Sequence, residues 1–187
     1  MVAELGSKRL SYEDFVALPE DDKRYELIDG DLQVTPAPAT RHQLVVMNLC
    51  WVISSWIRGD GSGIVLPAPV DVVLSANDVV EPDVVYLSEA NRDRLGEKNV
   101  SGPPDLAVEV LSEHHRRHDE IVKRHLYERF RVPEYWIVDP ELETVKVHRL
   151  GDAGYAHPVV LSSENGDTLA SPTLPGLETA LADLFAN

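Results

Sequence analysis

The chain has 187 residues, 43% of them apolar, and carries 17 Lys and Arg against 32 Asp and Glu, a formal net charge of −15. That length and apolar fraction suit one domain over residues 1–187 with a sizeable core, and the charge argues against a protein that coats nucleic acid or binds anionic membranes generally, while leaving room for a local basic groove. The single cysteine, Cys50, excludes an intrachain disulfide framework and a cysteine-built zinc site, which fits a reducing cytoplasm. No stretch approaches the ~20 apolar residues of a membrane span, and the first ten residues lack the apolar core of an export signal.

Ser11, followed three residues later by Asp14 and then by Phe15, Val16 and Leu18, predicts a short helix that Pro19 closes. Tyr25 to Ile28 and Asp31 to Val34 flank Asp29-Gly30, the dipeptide best able to take the positive φ angles of a tight hairpin turn. After Pro36 and Pro38, Thr40 offers a capping hydroxyl with Gln43 three residues on. Val45, Leu49, Val52 and Trp56 then recur at helical spacing, predicting a long helix from about 41 to 57. The glycines between Gly59 and Gly63 read as a turn, because they follow a helix and lack the Lys-Ser/Thr of a phosphate loop. Strands are expected at 64–66, 70–74 and 84–87, with Ser75 to Asp78 as a connecting loop. Asp105 to Leu111, largely apolar after Pro103-Pro104, reads as a central strand covered on both faces. Segment 116–131 carries Val122, Leu126 and Phe130 at four-residue steps and reads as an amphipathic helix, before strands at 134–138 and 143–149, a turn at Asn165-Gly166 and a closing helix over 177–185.

The constellation that carries chemistry is acidic. Asp83, in Glu81-Pro82-Asp83-Val84, and Glu109, in Asp105 to Leu111, both fall on predicted strand ends. Period two puts Glu109 with Ala107 and Leu111 on one face, amid apolar neighbours, where a lone carboxylate is costly. A divalent cation shared with Asp83 would compensate it; a salt bridge to an arginine, or exposure at a strand edge, would do so equally well. On the following helix, Asp119, Lys123 and Tyr127 share a face offset from the apolar stripe, so a helix packed on the sheet could aim Lys123 at the acids; the plainer alternative is an Asp119–Lys123 surface ion pair. Segment 114–131 also holds six Arg or Lys against three acids, next to the candidate site, where a polyanionic substrate would need positive charge. His114, His115, His118 and His125 lack an acidic or cysteine partner at zinc spacing and read as a solvated face.

Taken in order, Tyr25-Glu26-Leu27-Ile28-Asp29-Gly30, Pro38 to His42, Glu81-Pro82-Asp83-Val84, Gly102 to Ser112, Asp119 with Lys123 and Tyr127, Glu134 to Pro140 and Leu174 to Leu177 resemble the Uma2 (DUF820) family over nearly the whole chain. The resemblance implies an endonuclease of the PD-(D/E)XK restriction-endonuclease-like superfamily. The resemblance makes Pro82-Asp83 the PD element and Glu109 the second acid. The superfamily's usual lysine falls two residues after that acid, where this chain has Leu111; Lys123 matches the position used when the lysine moves to the following helix. Glu26 matches an N-terminal glutamate that can bind a second metal or orient water, although a hairpin surface residue is the equal alternative. His42 matches the family pattern at the start of the long helix, and Asp71 is either a supporting group behind the metal or solvent-facing.

The resemblance therefore implies an α/β restriction-endonuclease-like fold in one domain, with a mixed central sheet flanked by helices. It implies Mg²⁺- or Mn²⁺-dependent hydrolysis of phosphodiesters in nucleic acid, DNA before RNA, with the metal on Asp83, Glu109 and the Val110 carbonyl, and Lys123 and Glu26 acting beside it. Two rivals stay open: a non-catalytic metal- or nucleic-acid-binding regulatory module, and a phosphoesterase for small nucleotides. Trp51, Trp56 and Ile57 extend the apolar surface of the long helix, and a homodimer is expected from a second apolar face.

Overall fold

The computed structural model describes residues 9–19, 23–35, 38–59, 61–112 and 116–186. Its first element begins where the sequence predicts. The Ser11 hydroxyl accepts the Asp14 N–H at 3.3 Å, and the Asp14 carboxylate accepts the Ser11 N–H at 3.0 Å, closing both halves of a capping box at the head of α1 (Tyr12–Val16). Strands β1 (Arg24–Ile28) and β2 (Asp31–Thr35) form the expected hairpin, with Asp29 and Gly30 at φ 53° and 82°. The long helix α2 runs over Thr40–Gly59.

Next come β3 (Ile64–Pro67), β4 (Asp71–Ser75), β5 (Asp78–Val80), β6 (Val84–Leu87), a 3₁₀ turn at Glu89–Arg94, β7 (Asn99–Ser101) and β8 (Leu106–Val110). A π-helical stretch, His118–Lys123, runs directly into α3 (Arg124–Arg129). The remaining elements are β9 (Glu134–Asp139), β10 (Thr144–Gly151), β11 (Gly154–Tyr155), β12 (Val159–Ser162), β13 (Thr168–Ala170), β14 (Glu178–Ala180) and α4 (Leu181–Phe185). A seven-stranded sheet has the order β11-β10-β9-β8-β6-β3, with β12 on β10, and is mixed because β8 and β9 are parallel. A five-stranded sheet, β2-β1-β5-β4-β7, is mixed through the parallel pair β4 and β7.

Strand β8 divides the core as its alternation requires. Leu106, Val108 and Val110 pack with Val45, Leu49 and Ile53 of α2, whereas Ala107 and Leu111 pack with Leu126, Tyr127, Tyr135 and Ile137. All five residues of β8 are buried, as expected of a strand covered on both faces.

Four sequence expectations are corrected. The segment 116–131 is helical but contains the π stretch, and only part of its apolar stripe is buried: Leu126 and Phe130 pack on the core, whereas Val122 is 37% exposed and the polar Asp119 and Lys123 are buried in its place. The closing helix covers only 181–185, because Glu178–Ala180 pairs with β13 instead. Asp78 belongs to β5 rather than to a loop, the turn after β4 being only Ala76-Asn77. Of the apolar residues late in α2, Trp56 and Ile57 pack against the core, and only Trp51 projects into solvent. His114 and His115 lie outside the described residues; His118 is half-buried in the π stretch and His125 is exposed.

Gly63 closes the loop between α2 and β3 at φ 96°, and a Cβ there would collide with the Leu87 carbonyl and lie 2.8 Å from the Tyr86 ring. Gly166 has φ 70° with open space around it. Gly63→Ala is therefore expected to lower the melting temperature by roughly 5 °C or more, and Gly166→Ala by about half of that or less, since only the first adds a backbone collision to left-handed strain. Equal shifts in thermal denaturation would contradict this account of the loop.

Candidate active site

Pairing of β6 with β8 is antiparallel with Val84 opposite Val108, and one further step along that register brings Asp83 opposite Glu109 on the same face. The Asp83 Oδ2 accepts the Val110 N–H at 2.8 Å and lies 3.1 Å from His42 Nε2, which the first turns of α2 deliver. Because N–H and C=O of one strand residue point to the same side, the Val110 carbonyl faces the Asp83 side of β8.

Glu26, on β1, is buried rather than on the hairpin surface. Its Oε1 accepts the Glu81 N–H at 2.9 Å and the Lys123 ammonium at 2.8 Å. Lys123 Nζ also donates to Glu109 Oε1 at 2.9 Å and lies 3.9 Å from Asp119 Oδ1. Tyr127 donates its hydroxyl to the same Glu109 oxygen at 2.8 Å. Asp119, Lys123 and Tyr127 thus share one face at four-residue steps, as the sequence suggests, and that face is turned inward. The π stretch accounts for the alignment. Four-residue steps drift by about 40° each in an α-helix, and the wider π turn offsets the drift before α3 begins.

Asp71 does not reach the Asp83–Glu109 pair. Its carboxyl, pushed up to about 6 by burial and by the neighbouring Glu81, donates to Glu81 only when protonated, and the Glu81 carboxylate also accepts Arg24 Nε–H at 2.7 Å, so this trio backs the Glu26 side of the cluster. Neither Arg24 nor Glu81 stands out in the sequence as a support, and nor does Tyr135, whose hydroxyl donates to the Asp119 carbonyl at 3.1 Å. Their roles come from strand register, and only the position of Glu81 inside Glu81-Pro82-Asp83 hints at one of them.

Electrostatically, three buried carboxylates, Glu26, Glu109 and Asp119, surround one ammonium, and the buried Asp83 lies beside them on the β6 side. Burial pushes Glu109 well above the usual carboxylate range; Lys123 opposes this, and the neighbouring acids reinforce it. Burial likewise raises Asp119 to about 7, opposed by Lys123. Burial alone would lower Lys123, but Glu109, Glu26 and Asp119 outweigh it and hold the ammonium well above its usual value, so it stays charged. The surrounding basic residues are largely engaged already: Arg124 with Glu128, Arg129 with Asp29 and Asp78, and Arg116 with Asp139.

The donors fit a hard divalent cation by chemistry. All are oxygens, the cluster has more negative than positive charge, and among the described residues Asp83 Oδ1 and Glu109 Oε2 make no hydrogen bond. As the side chains stand, no three His, Cys, Asp or Glu among the described residues converge at metal-ligand geometry; the Lys123 ammonium lies between Glu26 and Glu109.

A pH dependence follows. Asp119 holds its proton to about 7 in the folded chain but releases it near 4 when unfolded, so the folded state binds more protons between those values and stability falls as pH rises through them. His148, which burial lowers to about 4, works in the opposite direction below its unfolded value of about 6.5, whereas Glu109, held well above the carboxylate range, and Asp71, raised to about 6, act in the same direction as Asp119, so the fall is read from pH 6.5 to 8. In metal-free buffer the melting temperature is expected to drop by roughly 2–5 °C across that window, and Asp119→Asn to lessen the drop. A rise across the window in scanning calorimetry would refute the assignment.

With this geometry in place, comparison with known proteins is informative. A family model described as "Uma2: Putative restriction endonuclease" matches residues 12–182. Among solved structures, the crystal structure of "a putative nuclease belonging to DUF820" from Anabaena variabilis ATCC 29413 is similar, with a TM-score of 0.79 and 19% identity over 94% of this chain and 97% of that chain. At that identity the likeness is one of fold, and it agrees with the single mixed α/β domain described above. No curated protein matches. A match across nearly the whole chain, with Asp83, Glu109 and Lys123 assembled in one cluster, places the protein: it belongs to the Uma2 family.

Proposed function

We propose that this chain hydrolyses phosphodiester bonds in nucleic acid, DNA before RNA, with Mg²⁺ or Mn²⁺ held by Asp83, Glu109 and the Val110 carbonyl. One observation carries the reading. The Lys123 ammonium, brought in from the helix in place of Leu111, bonds Glu109 at 2.9 Å beside Asp83, assembling two acids and a lysine on one face of the sheet. The similar Anabaena protein, titled a nuclease, supports the same reading.

Bound there, the cation would polarise the phosphate and lower the pKa of a coordinated water. The chain's own groups divide the remaining work. Asp83 is held by the Val110 N–H and by His42, which fix the direction of its carboxylate. Glu109 is held by Tyr127 and Lys123. Lys123, charged and fixed between two carboxylates, orients the attacking water or meets the negative charge that develops on the phosphate oxygens, and Glu26 positions Lys123 from the opposite side. Metal also offsets the clustered carboxylates, which lets an acidic chain accept a polyanion. No described helix is long and apolar enough to cross a membrane, and the proposed setting is the cytoplasm.

A second reading is a non-catalytic metal- or nucleic-acid-binding module. It is favoured by the Lys123 ammonium, which already holds the position between Glu26 and Glu109 as a structural counter-ion. The two are separated by cleavage assays on plasmid and 5′-labelled oligonucleotides with Mn²⁺, Mg²⁺ or EDTA, beside calorimetric Mn²⁺ titration.

Asp83→Ala and Glu109→Ala are expected to lose Mn²⁺ binding and to reduce cleavage by about 100-fold or more. Unchanged Mn²⁺ binding in both would remove the metal site. Lys123→Ala is expected to abolish turnover with metal affinity nearly retained; full cleavage by this variant would make Lys123 a structural counter-ion only. Millimolar Mn²⁺ should raise the melting temperature of the parent chain by a few degrees, because it binds the folded state.

A further inference from the structure

Helix α2 has an outer face that the rest of the molecule does not explain. Leu44, Met47 and Trp51, at helical spacing, are 38%, 66% and 72% exposed. Beside them runs a groove of about 290 Å³ between the second half of α2 and the β13–β14 hairpin, lined by Trp51, Val52, Trp56, Leu177 and Thr179 and by one carboxylate, Glu178 of β14. In a chain of net charge −15, all 20 residues of α2 lack a carboxylate. The exposed positions of the helix are Thr40, Gln43, Leu44, Met47, Trp51, Ser55, Arg58 and Gly59, and Arg58 is the one charge among them.

The geometry points to this face as the interface between two copies of the chain, packed as antiparallel α2 helices about a two-fold axis near Met47 and Trp51. Charge selects the occupant. Two acidic chains repel over most of their surfaces, and the outer face of α2 lets them meet without placing carboxylates of this helix opposite one another. A nucleic acid would find only Arg58 on the exposed stripe, too little positive charge for a polyanion.

Area and shape agree. The three apolar side chains supply on the order of 400 Å² per protomer, about half of the roughly 800 Å² that a standard interface buries on each side, and the polar neighbours Gln43 and Ser55 with the groove rim provide surface for the remainder. The ridge and the groove lie next to each other on one face, so each copy offers a knob and a hole, as an isologous contact requires. The groove is large enough for one methionine side chain. Since His42 lies about seven residues before the midpoint of Met47 and Trp51, the two site ends of the helices would be about 20 Å apart along the helix axis.

Sedimentation equilibrium of the full chain from about 1 to 200 µM, repeated in low and moderate salt, tests this directly. The expected mass rises from 20.8 kDa toward twice that value, with stronger association in salt that screens the acidic surfaces. Met47→Glu and Trp51→Glu should each weaken association by about tenfold or more while shifting the melting temperature by no more than ~2 °C, because both side chains are exposed. A parent mass fixed at 20.8 kDa throughout would overturn the proposal. So would a dimer that both variants retain, which would move the contact to another exposed apolar surface, such as Val159 and Val160 on β12.

Discussion

The ammonium of Lys123, shared between Glu26 and Glu109 at 2.8 and 2.9 Å, is the contact on which both site and fold depend. It joins β1 of the five-stranded sheet, β8 of the seven-stranded sheet and the π-helical stretch, three parts far apart in sequence. All three groups have left water. Each is tolerable only because the others are present, and removing one partner from such an arrangement costs on the order of 3–5 kcal/mol. Tyr127 and Glu81 complete the pattern by satisfying further lone pairs on the same two carboxylates. The cluster is therefore rigid, and it stays polar because its members constrain one another.

That contact also explains an unusual helix. Apolar periodicity would bury Val122 with Leu126 and Phe130, yet Val122 is at the surface and Lys123 is inside. Burying a valine gains only a fraction of what is lost when a buried Glu109 has no cation, so electrostatics sets the rotation of the segment. The π turn then keeps Asp119, Lys123 and Tyr127 in one line while Leu126 still reaches the core. The exposure of Ile121 and Val122 is the cost of that arrangement.

Charge around the site has a second lesson. The excess of basic residues after β8 suggests a surface ready for a polyanion, but Arg116, Arg124 and Arg129 all pair with acids of this chain. Local charge counts measure composition, whereas the field that a substrate meets depends on which charges remain uncompensated after folding. Here the buried cluster sets three carboxylates against the single Lys123 ammonium, which is why a cation is central to the proposed chemistry.

Several features were legible in the sequence because they depend on neighbours along the chain. The Ser11–Asp14 capping box, the Asp29-Gly30 turn, the alternation of β8 and the length of α2 all follow from residues within a few positions of one another. The Asp83 and Glu109 pair was legible as two acids at predicted strand ends, while the register of β6 on β8 set them opposite one another. What only the tertiary structure decided depends on partners that sequence spacing does not show. Glu26 could have been a surface residue of its hairpin until β5 paired with β1 and carried the Glu81 N–H to it. Lys123 could have paired with Asp119 alone until the helix turned its polar face inward. Short strands such as β7, β13 and β14 have little local signature, and they exist because a distant edge satisfies their backbone groups. Hydrogen-bonding patterns within a turn are written locally, whereas burial and ion pairing between sheets are set by contacts that form only when the whole chain has folded.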